Sequence, residues 1–237
     1  DPDDGKDPDD GKDPDDGKDP DDGKDPDEED PPADKTEVDL MLFIGQSNMA
    51  GRGDAADATV VAEGHAFEFR AISDPTKLYP LTEPFGVNEN NDASGVSEAG
   101  AKTGSMVSAF CESYYEATET PVVAVSCSKG GTVIDFWDTD TQAYADACNR
   151  MLAANSFLEE SEDYALRHTY VVWLQGETDG DQGTSASQYT DTMDHIFNAF
   201  ASDIGAEQCF VIPIGGYNGS DTARQQQYAA IREAQIE

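Results

Sequence analysis

Val38 to Gly53 reads Val-Asp-Leu-Met-Leu-Phe-Ile-Gly-Gln-Ser-Asn-Met-Ala-Gly-Arg-Gly, and its first half decides the fold class. Leu40 to Ile44 are five consecutive apolar residues closed off by Gly45. A run this short and continuous suits a strand buried on both faces, and such strands belong to parallel sheets covered by helices. Ser47 then falls just past the carboxyl end of the strand, where open α/β sheets place their ligands. Gly51 and Gly53 let the chain turn sharply and approach a substrate. A serine so placed is a candidate nucleophile. On this pattern alone it is equally the N-cap of a helix. A phosphate loop is disfavoured, because neither glycine spacing fits and no Lys follows. Met49 stands where the G-x-S-x-G elbow needs its second glycine.

The same alternation of signals continues along the chain. Strands are expected at 38–44, 122–127, 169–174 and 209–214, with a possible one at 66–70. Helices are expected at about 104–117, 141–155, 187–203 and from Asp221 to the end. Residues 72–102, rich in Asn, Asp, Gly, Ser and Pro, read as one long loop. Strands alternating with helices indicate βαβ units around a parallel sheet. The roughly 200 residues involved suffice for one well-cored domain.

Ahead of it, residues 1–24 are four copies of Asp-Pro-Asp-Asp-Gly-Lys, and residues 25–36 keep that composition. Without aromatic residues or apolar periodicity, such a segment cannot offset its ordering entropy. Residues 1–36 are therefore read as a disordered acidic repeat linker and 37–237 as the folded domain. A calcium loop is disfavoured, because the glycine offset is wrong and Lys occupies a ligand place. Net charge is −36 for the chain and −23 for residues 37–237, which hold only nine Lys and Arg. That excludes a nucleic-acid partner and disfavours an anionic membrane surface. It leaves a solubilising surface or a high-salt setting. No run reaches the length of a membrane span. A repeat linker before a folded domain suggests an extracellular or cell-surface enzyme. Cys111, Cys127, Cys148 and Cys209 show no metal spacing and read as buried free thiols rather than disulfides. No metal or cofactor is expected.

Three stretches occur in order: Gly45-Gln46-Ser47-Asn48-Met49-Ala50-Gly51, Gly130-Gly131-Thr132-Val133-Ile134 with Trp137, and Trp173-Leu174-Gln175-Gly176-Glu177-Thr178-Asp179. Together they resemble the sequence blocks of the sialate O-acetylesterase and acetylxylan esterase branch of the SGNH (GDSL-like) hydrolases, over about residues 38–233. The resemblance implies a flavodoxin-like three-layer α/β/α sandwich, the SGNH hydrolase fold, and an acetylated carbohydrate as substrate. It implies Ser47 as nucleophile. The oxyanion donors would be the Ser47 N–H, the N–H of Gly130 or Gly131, and the Gln175 side-chain amide. At Gly130 and Gly131 the residue reading concurs, since only Gly brings an N–H close without a Cβ. For Gln175 a structural role in its own loop is the alternative. Glu177 would orient or assist the base, or hold the first loop through Asn48 or Arg52. Asn48 would fix the loop, and Arg52 would pair with Glu177 or a substrate carboxylate. Trp137 and Phe136 would form a sugar-facing wall or pack in the core.

One part is missing. The resemblance implies a base from a fourth block, Asp-x-x-His, beyond the last helix, and no such motif occurs in the chain. His168 is expected at the amino end of the sheet and His195 mid-helix, while for His65 nothing suggests a base. The expectation is a serine esterase removing O-acetyl groups through an acetyl-serine intermediate, truncated at its C-terminus and impaired. The alternatives are a non-catalytic carbohydrate-binding or adhesion module on an acidic stalk and, more weakly, a phosphatase or nucleotide binder.

Overall fold

Every residue of the first strand, β1 (Thr36–Gly45), is buried from Val38 onward. Successive side chains of a strand point to opposite faces. Leu40, Leu42 and Ile44 accordingly enter one apolar layer, and Met41 and Phe43 the other. The computed structural model describes residues 35–236. Apart from Lys35 and Thr36, the repeat segment lies outside the described residues, and with it the linker and calcium readings.

Burial on both faces places β1 at the centre of a six-stranded sheet of order β3-β2-β4-β1-β5-β6. β4 (Val122–Ser128) and β5 (Tyr164–Leu174) flank it in parallel. β2 (Ala66–Arg70) and β6 (Gln208–Val211) extend the sheet in parallel beyond them. The outer edge, β3 (Asp74–Pro80), runs antiparallel to β2. On one face lies α2 (Val107–Thr118), which packs Val107 and Cys111 against Met41 and Phe43. On the other lie α3 (Gln142–Glu160), α5 (Ala186–Asp203) and α6 (Thr222–Ala234), packed against Leu40, Leu42 and Ile44. Two short helices, α1 (Ser47–Ala50) and α4 (Glu177–Gln182), sit at the carboxyl ends of β1 and β5. The three longest start cleanly, because Thr141 and Ser185 each accept a backbone N–H and Asp221 accepts two.

This is the expected α/β/α sandwich, with corrections. The stretch 72–102 is not all loop, since Asp74–Pro80 forms the edge strand β3. Its two prolines suppress a strand reading, yet an edge tolerates them because they lack an N–H and no second neighbour needs a donor there. The sheet is therefore mixed. β5 starts five residues early and takes in His168, and β6 stops at Val211. The rest of the 81–106 connection is held by buried charge. Glu83 accepts from Ser105 N–H and Oγ–H at 2.9 and 2.6 Å. Lys102 Nζ donates to Gly86 O and Ser126 Oγ, each at 3.0 Å. Arg150 donates to Glu89 O at 3.1 Å and Ser126 O at 2.7 Å.

All four cysteines are free; Cys111, Cys127 and Cys148 are buried and Cys209 half-buried. Burial pushes the Cys127 and Cys209 thiols up to about 12. Thiolates, not thiols, react. A disulfide reagent at mildly alkaline pH should therefore leave Cys111, Cys127 and Cys148 unlabelled in native protein and modify all four in urea. Rapid native labelling of any of the three would contradict this packing.

Candidate active site

The three motifs meet because three strands end together. Gly45 is in register with Ser128 on one side and Leu174 on the other. The residues just beyond, Gln46-Ser47, Lys129-Gly130-Gly131 and Gln175-Gly176-Glu177, thus share one end of the sheet. Gly45 has φ +151°, and a Cβ there would lie 2.0 Å from the Leu174 carbonyl oxygen. That close approach lets Gln46 N–H donate to the same carbonyl at 3.1 Å. The cap position of α1 is Gln46, which makes no side-chain cap bond. Ser47 is the first helical residue, half-buried, and so is not the N-cap.

The loops interlock around it. Asn48 Nδ2 donates to Glu177 Oε1, tying the first motif to the third. Glu177 Oε2 is buried without a partner among the described residues. Arg52 pairs not with Glu177 but with Glu98, a residue of the 81–106 connection. Glu98 also accepts the Gly130 N–H at 2.5 Å and faces Lys129 Nζ at 3.4 Å. Desolvation opposes the charge on Glu98, but the Gly130 N–H and the Arg52 guanidinium outweigh it and hold the carboxyl below its ordinary range. A Cβ on Gly130 would meet Arg52 Nη2 at 2.7 Å, Glu98 Oε1 at 3.0 Å and Ser47 Cβ at 3.4 Å. Gly130 therefore does border Ser47, but its N–H is already taken. Gly131 is exposed, at φ +73°, with open space where a Cβ would be.

Gln175 is fully buried. Its Nε2 donates to Thr132 O at 2.8 Å and to Asp179 Oδ2 at 2.6 Å. Both amide hydrogens are spent, so in this arrangement the side chain clamps the second motif to the third and offers nothing to an oxyanion. Asp179, also fully buried, accepts in addition from Ile134 N–H at 3.0 Å and Thr184 Oγ at 2.9 Å. Desolvation outweighs these bonds and raises its carboxyl above the ordinary range. Trp137 is fully buried and its indole N–H donates to Thr132 Oγ1 at 3.1 Å, so it packs in the core and forms no sugar-facing wall. Phe136, half-buried, stands edge-on against it at 4.9 Å.

The histidines are elsewhere. His168 is in register with Asp39, six residues before Gly45. His65 O accepts from Val122 N–H, six residues before Ser128. At about 3.3 Å per strand residue, both lie about 20 Å from the motif end of the sheet. His65 stacks on Tyr115 and bonds Glu112. His195, exposed on α5, bonds Asp138 at 2.9 Å. None of the three hydrogen-bonds Ser47. Sequence reading also passes over Glu98, which stands in no motif. Asp179 falls inside one, four residues after Gln175 in a short helix, and that spacing was the available signal.

Among the described residues no group of three or more His, Cys, Asp or Glu is placed to hold a metal. None of the described helices is long and apolar enough to cross a membrane. A family model described as carbohydrate esterase, sialic acid-specific acetylesterase, matches residues 37–237. No curated protein matches. Among solved structures, an Arabidopsis thaliana protein is similar at 20% identity and TM-score 0.58, covering 84% of this chain and 80% of that one. NanS is similar at 17% identity and TM-score 0.59, covering 84% and 73%. A carbohydrate acetylesterase from Xanthomonas citri is similar at 18% and 0.51, covering 84% and 47%. At these identities the structural likeness speaks to the fold.

Proposed function

The chain belongs to the family of carbohydrate esterases described as sialic acid-specific acetylesterases, and from that premise we propose that Ser47 is the nucleophile of an O-acetyl transfer from an acetylated carbohydrate. The observation that carries the proposal is the placement of half-buried Ser47 where the carboxyl ends of β1, β4 and β5 converge, with the Gly130 backbone against its Cβ. Ser47 Oγ attacks the acetyl carbonyl carbon, and its proton passes to solvent water, because none of the three histidines bonds Ser47. The carbon–oxygen bond to the sugar breaks and the sugar oxygen takes up a proton. Water then attacks acetyl-Ser47 and releases acetate. The oxyanion is stabilised by the backbone N–H groups of Ser47 and Gly131, neither of which has a hydrogen-bond partner among the described residues. Gln175 and Glu177 hold the loops rather than touch the substrate: Gln175 through Thr132 and Asp179, Glu177 through Asn48. An extracellular or cell-surface setting belongs to the same proposal.

With the three histidines directed elsewhere, the 237-residue chain is expected to acylate slowly. Losing a triad base removes roughly 10⁶ of the rate. The test is incubation with p-nitrophenyl acetate and with an O-acetylated sugar, followed by peptide mass analysis. Slow acetylation confined to the Ser47 peptide, absent in Ser47→Ala, is the expected result. Acetate release unchanged in Ser47→Ala would overturn the nucleophile. A second reading rests on the lack of a histidine bonded to Ser47 among the described residues: a carbohydrate-binding module. Binding of an acetylated glycan that survives Ser47→Ala, with no acyl-enzyme formed, is the result that selects it.

A further inference from the structure

We infer that Glu98 is the positioning residue of the Gly130–Gly131 turn, setting which of its N–H groups faces an acyl group on Ser47. The statement about acyl transfer rests on the proposed function; the statement about the turn does not.

The Glu98 side chain is only 5% exposed. Its carboxylate gathers donors from two strand ends that the sequence separates by some eighty residues. Arg52 follows β1; Lys129 and Gly130 follow β4. One buried carboxylate thus fixes the distance between the loop that carries Ser47 and the turn that faces it. It is itself fixed. Glu98 N–H donates to Asn90 Oδ1 at 2.7 Å, and its carbonyl accepts from Ala101 N–H at 2.9 Å. Next along the chain, Lys102 is anchored to Ser126 on β4. The carboxylate is therefore held against β4 rather than presented on a free loop.

Two consequences follow for the turn. Glu98 consumes the Gly130 N–H, so the Gly131 N–H is the next donor along it. Second, one carboxylate shared by Arg52 and Lys129 leaves these three groups with one net positive charge, which the Glu177 carboxylate, bonded to Asn48 beside Ser47, offsets. A methyl on Gly130 would press on the Arg52–Glu98 pair, whose side-chain ends must shift to admit it.

Hydrogen exchange of the full chain tests the turn directly. Glu98→Ala should speed exchange at residues 129 and 130, whose N–H groups are bonded to Gly45 O and Glu98 Oε1, by at least about tenfold while residues 122–127 of β4 stay protected. Glu98→Gln keeps an accepting oxygen and should restore most of that protection. Parent-like exchange at 129 and 130 in Glu98→Ala would overturn the inference. Should Glu98→Ala fail to fold, Glu98→Asp, which retracts the carboxylate by one methylene, takes its place with a several-fold rise expected; no rise there overturns it equally. Single-turnover acetylation of Ser47 by p-nitrophenyl acetate is the second readout. The Ala variant should lose maximal rate with the half-saturating concentration unchanged, and a loss confined to the latter would contradict positioning. If the parent forms no acetyl-Ser47, the proposed function falls and exchange alone decides the role of Glu98.

Discussion

Gly45→Ala should cost the protein at least about 3 kcal/mol of unfolding free energy, read as a lower urea midpoint with an unchanged slope. The added Cβ would stand 2.0 Å from the Leu174 carbonyl oxygen and 2.6 Å from its carbon. Both are backbone atoms of the neighbouring strand, so no side chain can rotate away to relieve the contact. The residue is also held at φ +151°, a conformation that costs a non-glycine residue about 1–3 kcal/mol. Relief requires β1 and β5 to part at their carboxyl ends. That breaks the Gln46 N–H bond to Leu174 O and moves Ser47 away from the third motif. Gly216→Ala is the matching control. Nothing lies within 4 Å of its added Cβ. It should stay within about 0.5 kcal/mol of the parent. Equal stability of the two variants would show that the strand ends are not packed as described.

How much of this was legible in the sequence follows from which interactions are local. Strand β1 is legible because burial on both faces forces an unbroken apolar run, and Leu40 to Ile44 display it. Helices α2, α3, α5 and α6 are legible because one-sided burial imposes a 3.6-residue period. β3 is not, since an edge strand carrying Pro75, Lys77 and Pro80 needs no apolar pattern to pair with a single neighbour. The meeting of the three motifs at one sheet end follows from parallel pairing once the strands are placed. The side-chain bonds among them do not. Gln175 looks the same in sequence whether its amide faces a substrate or, as found, Thr132 and Asp179. Trp137 sits in a motif next to half-exposed Phe136, and only the fold reveals that it points inward. Glu98 is the extreme case, a single acid in a polar stretch among 50 acids. Its partners Arg52 and Gly130 stand 46 and 32 residues away, so no local pattern could mark it.

Asp179→Ala should be the most damaging side-chain truncation at this end of the sheet, at about 2–6 kcal/mol for the two buried donors it leaves unmet. The carboxylate satisfies three separate groups: the Gln175 amide, the Ile134 N–H and the Thr184 hydroxyl. The Gln175 amide and the Ile134 N–H, both buried, each cost about 1–3 kcal/mol when left unmet, and half-buried Thr184 less. The site offers no exposed route for water, since Asp179 and Gln175 are both fully buried. Asp179→Asn keeps the shape and one accepting oxygen, so it should lose less. It also isolates the charge. Desolvation raises the Asp179 carboxyl despite the Gln175 and Ile134 bonds. Above the ordinary carboxylate value and below the raised one, the folded protein therefore binds more protons than the unfolded chain. Stability contributed by this group is greatest at the acid side of that window and falls as pH rises through it. The Asn variant lacks the fall, so its deficit against the parent should shrink as pH rises across the window and stay constant above it. A deficit that instead grows with pH would mean that Asp179 is stabilised as a carboxylate. Because Gln175 is tethered by Asp179, the proposed acyl transfer to Ser47 should weaken in both variants along with stability. A variant that lost the transfer but unfolded at the parent's urea midpoint would place Asp179 in the chemistry itself, and not in the scaffold beneath it.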